Sequence, residues 1–245
     1  IPILIFNSIT PFFQALPTIS GPIAAGISNT QDKKELFEKF KIWTKYTMSV
    51  SIIAFLGILI LGNTLLNFWL GGEKVSSDDI YVMITVLTII FFAYSISSIA
   101  PLARSISLAV GLHWKSSIIE ITTSIVGIFV GSILLLTSDF GVYGMAIGIS
   151  MALILRGFLF YPFLISNFFQ STVFSIFKGT IAKPIVMFSI LCIIYFAIKI
   201  FILNNNSSLL FEIIAFIVVL AAWIFINTTF ILNQKHRDSI KKFLT

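Results

Sequence analysis

The sequence predicts an all-α integral membrane protein with about seven transmembrane helices. Three observations carry this reading. Seven apolar stretches divide the chain, at Ile1–Ile27, Tyr46–Trp69, Ile80–Ala103, Ser116–Thr137, Val142–Ile165, Ile181–Leu203 and Leu209–Leu232. Each supplies the roughly 20 helical residues needed to cross a hydrocarbon core of roughly 30 Å. Charged residues make up only 11% of the 245 residues and hydrophobic ones 58%, against about a quarter charged in a soluble domain. Finally, the basic residues between the stretches fall on alternate sides. Lys33, Lys34, Lys39, Lys41 and Lys45 lie in the first connection, Arg104 and Lys115 in the third, Lys178 and Lys183 in the fifth. Lys235, Arg237, Lys241 and Lys242 lie in the tail, and Lys74 alone in the even-numbered connections. Positive loops stay cytoplasmic, so the chain is expected to begin outside and end inside. The net charge of +6 then reflects topology and contact with anionic membrane lipid rather than nucleic acid.

The first stretch differs from the rest. It holds Pro2, Pro11, Pro17 and Pro22, each of which removes a backbone donor and bends or breaks a helix. Such a segment survives in a membrane only when packed in protein or lining a watery cavity. Asn7, Thr10, Gln14 and Thr18 share one helical face, so they are candidate cavity residues; interhelical hydrogen bonding is the alternative. The start at Ile1, already inside a span, reads as the C-terminal part of a longer protein. Next, Asp32–Lys45 interleaves acids and lysines with Leu36, Phe37, Phe40 and Trp43. It is expected to form an amphipathic helix along the cytoplasmic interface, with Glu35–Lys39 and Glu38–Lys41 pairs.

Aromatic residues flank the remaining spans. Trp43, Tyr46, Trp69, Tyr81, Trp114, Tyr143 and Tyr161 are read as interfacial, whereas Tyr94, Tyr195 and Trp223 are deep and expected to bond their polar atoms to neighbouring helices. Gly127/Gly131 and Gly144/Gly148 are small-xxx-small pairs for close helix approach. Cys192 is a lone thiol in an apolar span.

Four charges fall within spans, where ionisable groups are functional candidates. Lys199 and Glu212 are near outer ends, where they snorkel or pair. Glu120, near the inner end of the fourth span, begins a face with Ser124, Gly127 and Gly131. Arg156 lies about ten residues, roughly 15 Å, from the inner end of the fifth, too deep for easy snorkelling. Glu120 and Arg156 either pair with each other or line a transport route. No catalytic constellation, phosphate loop or metal-ligand spacing is present, so no cofactor and no metal are expected, and the chain reads as a transporter rather than an enzyme.

Several short segments bring a family into view. Pro17-Thr18-Ile19-Ser20 with its following charged loop resembles the eighth span of polysaccharide flippases in the multidrug/oligosaccharidyl-lipid/polysaccharide exporter superfamily. Phe68-Trp69-Leu70-Gly71, Ser107–Leu112 before Trp114-Lys115, and Phe140-Gly141-Val142-Tyr143-Gly144-Met145-Ala146 resemble later parts of that pattern in the same order. The resemblance implies spans eight to fourteen of a fourteen-helix exporter fold. Residues 1–166 would then be the C-terminal transport lobe, 167–232 two additional helices with a groove for a lipid tail, and 233–245 a cytoplasmic tail. It further implies movement of undecaprenyl-pyrophosphate-linked oligosaccharide (O-antigen-type) repeat units from the inner to the outer leaflet of a bacterial cytoplasmic membrane. Other polysaccharide-assembly membrane proteins would be partners. On that reading Arg156 and Arg104 are the candidates for the pyrophosphate, Arg being suited to bidentate contact. A drug or cation exporter of the same superfamily and a membrane-embedded glycan polymerase are the alternatives.

Overall fold

The computed structural model describes residues 15, 17–27, 33–70, 76–137, 139–200 and 209–231. Among these every regular element is helical and no strand occurs, as the composition predicts. Of the first expected span only residue 15 and residues 17–27 are described, the latter as helix α1; Asn7, Thr10 and Gln14 lie outside the described residues.

Helix α2 runs unbroken from Lys33 to Leu70, about 57 Å at 1.5 Å per residue. This corrects the expectation of a separate interfacial helix over Asp32–Lys45. No glycine or proline interrupts Lys33–Lys45, so nothing ends the backbone ladder before the span, and the charged turns extend the same rod. The expected pairs are present, Glu35–Lys39 and Glu38–Lys41, each at 2.6 Å.

The third expected span is broken in two, α3 (Ser77–Ile96) and α4 (Ile99–Ala109). Ser76 caps α3 by accepting from the Asp79 amide at 3.1 Å, and Asp78 and Asp79 complement its positive end. The break at Ser97–Ser98 has two causes. Pro101 cannot donate to the Ser97 carbonyl, which takes the Ala100 amide instead at 2.9 Å. Ser98 turns its hydroxyl back onto the Ser95 carbonyl at 2.7 Å, the local bonding that competes with a regular helix. Helix α4 ends at Gly111, φ +83°, where the Leu112 amide reaches the Ser107 carbonyl at 2.8 Å. This is a glycine-terminated Schellman cap.

Helix α5 (His113–Thr137) is followed by α6 (Val142–Ile154), a π turn at Leu155–Phe160 and α7 (Tyr161–Phe169). The last three make one apolar stretch of 28 residues. Pro162 has no amide for the carbonyl one turn back, and the Tyr161 amide bonds to Arg156 one residue further than an α-helix allows. Arg156 thus sits in a wide turn of the kind often found at functional sites. A short helix, α8 (Val173–Thr180), precedes α9 (Ala182–Ile198) at a bend of 44°. The fifth connection, read as a loop, is therefore helical, capped by Thr172 and buried through Ile176 and Thr180. Helix α10 (Leu209–Ile226) ends in a second π turn at Asn227–Ile231.

Among the described residues five helices are long and apolar enough to cross a membrane, six if α8–α9 is one span. The chain is a multi-pass all-α membrane protein. Its packing divides into an apolar cluster between α2, α3, α9 and α10, built on Leu56, Leu87, Leu191 and Val219. A second cluster joins α1, α2, α4, α7 and α8 through Phe40, Ile106, Ile165 and Ile176. In lipid, helices gain little from burying apolar groups against each other, so close fit and hydrogen bonds decide association. The glycine pairs supply the fit. A Cβ on Gly148 would stand 2.6 Å from the Gly131 Cα, and one on Gly127 would stand 2.8 Å from the Gly148 carbonyl oxygen. The two motifs therefore pack on each other, uniting α5 and α6. Hydrogen bonds tie α10 to α2: the Trp223 indole donates to the Ser49 carbonyl at 2.9 Å, and Ser49 to the Asn227 side chain at 2.6 Å.

Candidate substrate cavity

The break between α3 and α4 and the π turn after α6 lie against each other. A Cβ on Gly157 would stand 2.6 Å from the Ser97 Cα, so only glycine permits this approach. Beside this contact a cavity of about 360 Å³ opens between α1, α3, α4, α5 and α6. Its polar wall carries Thr18, Ser97, Arg104, Ser105, Glu120 and Arg156. Four of the residues singled out in the sequence, Thr18, Arg104, Glu120 and Arg156, thus meet in one place.

Arg156 and Glu120 are paired, Nη1 to Oε2 at 2.8 Å. The rest of the guanidinium is engaged as well. Nε donates to Thr123 Oγ1 at 2.6 Å, and Nη2 donates to the Glu120 carbonyl at 3.2 Å and to Ser124 Oγ at 2.5 Å. Of the five N–H groups a guanidinium offers, only the second on Nη1 is left over among the described residues. Glu120 in turn accepts from the Tyr161 hydroxyl at 2.8 Å, and that hydroxyl meets Ser116 Oγ at 2.9 Å. Glu120, Thr123 and Ser124 share a face of α5 because they are spaced three and four apart, and Ser116 lies one turn earlier.

Tyr161 corrects the sequence reading. It was expected among the interfacial aromatics, yet it is fully buried. The proline after it opens the π turn and brings its ring inward onto Glu120. Trp69, Tyr81 and Trp114 are exposed at helix ends, as expected. The outer-end charges do not pair with each other: Glu212 accepts a hydrogen bond from Thr64 of α2, and Lys199 is exposed.

Arg104 is the other cation of the cavity. It is exposed on α4 and forms no ion pair among the described residues. Glu120 balances Arg156, so Arg104 gives the wall its net positive charge. Nearby, the buried Ser97 hydroxyl has no hydrogen-bond partner among the described residues, a costly state for a buried polar group. Sequence reasoning passed over Ser97 and placed Tyr161 only at an interface; the signal for Ser97 was the Ser-Ser pair shortly before Pro101.

Fold and cavity together define a membrane-embedded helical bundle with a polar, net positive recess. No family model, curated protein or solved structure matches the chain.

Proposed function

We propose that the protein is a flippase for an anionic lipid-linked oligosaccharide, moving its head group from the inner to the outer leaflet of a bacterial cytoplasmic membrane. The observation that carries this is the recess beside Arg104. A pyrophosphate–sugar head group loses its hydration in hydrocarbon, and a polar cavity within a helical bundle offsets that loss. Arg104 supplies charge at the wall, beside the polar residues Thr18, Ser97 and Ser105. The residual positive charge favours an anion over a cationic drug. The resemblance of the short motifs supports the same reading, and on it the chain is the C-terminal lobe and two further helices of a larger exporter.

The test follows lipid-linked intermediates in cells. Complete repeat units should accumulate on the inner leaflet when the protein is removed. Single repeat units on the outer leaflet would instead mark a polymerase and end the flippase reading.

Two predictions accompany it. Arg104→Gln should reduce export about tenfold or more at unchanged protein abundance, since one charge-assisted contact of about 1.5 kcal/mol or more is lost and no partner inside the protein is stranded. Normal export in that variant would remove Arg104 from the route. As for orientation, the α4–α5 link should be cytoplasmic and the start of α3 external. A cysteine in place of Ser77 should react in intact cells with an impermeant thiol reagent, and one in place of Lys115 only after the membrane is opened. The reverse pattern would invert the topology.

A further inference from the structure

We infer that the apolar recess between α5 and α6 holds the hydrocarbon chain of an anionic lipid whose head group occupies the polar cavity. This recess measures about 190 Å³, and Gly127, Ile128, Met145, Ile149 and Ala152 form its walls. It is a separate hollow from the cavity, but the two share Leu153 and Arg156 as a common wall. A ligand with its head in the first and its chain in the second straddles the Arg156 side chain. The helices run antiparallel, so Ser124 and Arg156 close the same end of the recess, hydrogen-bonded to each other at 2.5 Å.

Three observations select the occupant. The recess opens sideways: Ile128 is 61% exposed and Ile149 39%, on helices long and apolar enough to cross a membrane. Water gains nothing there, and a hydrocarbon chain fits. At the charged end, Arg104 lacks an ion pair among the described residues. A phosphate-type head satisfies Arg104 through bidentate, charge-assisted contact; a head without an anionic group does not. The depth also agrees. Arg104 lies toward the α4–α5 link, whereas the recess begins at Ser124, about 17 Å along α5 from His113. Head near one face and chain toward the middle of the bilayer is how a lipid stands in a leaflet.

The inference rests on the transport reading for its purpose and not for the binding itself, and the experiment separates the two. The full chain in phosphatidylcholine vesicles is irradiated with an alkyl phosphate carrying a diazirine near the chain end, or with the same chain on a phosphocholine head. The phosphate probe should label residues 145–153 about tenfold more than the phosphocholine probe, the factor one charge-assisted hydrogen bond supplies. Arg104→Gln should bring labelling down to the phosphocholine level. Ile149→Trp, or Ile128→Trp on the opposite wall, should abolish it by filling the recess. Equal labelling by both probes means ordinary bilayer lipid fills the recess and overturns the inference, leaving the transport reading untouched. Phosphate-dependent labelling with normal export in Ile149→Trp keeps the binding site and removes its part in transport.

Discussion

Arg156→Met will lower the amount of folded protein in the membrane several-fold, and Glu120→Gln in the same chain will restore most of it. The reason lies in the pair at 2.8 Å and in where it sits. Removing one partner of a fully buried ion pair costs about 3–5 kcal/mol; this pair is half-buried, its side chains 18% and 25% exposed, so the cost falls below that range but is still felt. Here the Glu120 carboxylate would keep only the Tyr161 hydroxyl. Thr123 would retain its bond to the Ile119 carbonyl at 2.7 Å, so the cost concentrates on the carboxylate. The Gln side chain keeps an acceptor for Tyr161 and carries no charge, which is why the double variant recovers. Abundance measured by membrane fractionation, with an export assay beside it, reads both effects. Normal abundance and normal export in Arg156→Met would show that the pair holds nothing together. Normal abundance with lost export would move Arg156 from a positioning residue to a substrate contact.

The second large effect is expected at Gly148. Gly148→Leu will separate α5 from α6 and abolish stable protein. Even the first carbon would stand 2.6 Å from the Gly131 Cα and 2.7 Å from its nitrogen, and those are backbone atoms that cannot turn aside. Overpacking of this kind costs about 1–3 kcal/mol when side chains can adjust, and more where only backbone can move. Because α5 and α6 carry Glu120 and lead into Arg156, the separation also dissolves the cavity wall. Gly26→Leu is the control, since a Cβ there meets nothing within 4 Å. Thermal stability in detergent distinguishes them: a loss at Gly148 with none at Gly26 is expected, and equal behaviour would mean the glycine contact is dispensable.

The sequence by itself determined that the chain is membrane-spanning and all-α, because about 20 apolar residues in a row have no other stable state in which every backbone group is satisfied. It also located the glycine faces of α5 and α6 and the exposed pairs Glu35–Lys39 and Glu38–Lys41, since these follow from helical periodicity alone. It brought Glu120 and Arg156 forward as intramembrane charges but left open whether they pair or line a route. Only the tertiary structure decided that. Their contact joins residues 36 positions apart, and its geometry depends on the π turn that Pro162 and the deep seat of Tyr161 impose. The breaks were equally out of reach. Hydropathy runs through Ile80–Ala103 without a change of sign, whereas the chain turns at Ser97–Ser98, where the Ala100 amide takes the carbonyl that Pro101 leaves free and the Ser98 hydroxyl bonds back onto Ser95. The fifth connection hid a helix for the converse reason: Lys178 and Lys183 make it look like a loop, while Ile176 and Thr180 pack inward. Hydropathy records how each residue partitions between lipid and water, and neither break nor pairing is a property of one residue. The breaks arise where proline removes a backbone hydrogen bond and a nearby amide of the same segment shifts its own, and the pairing where two helices bring distant residues together.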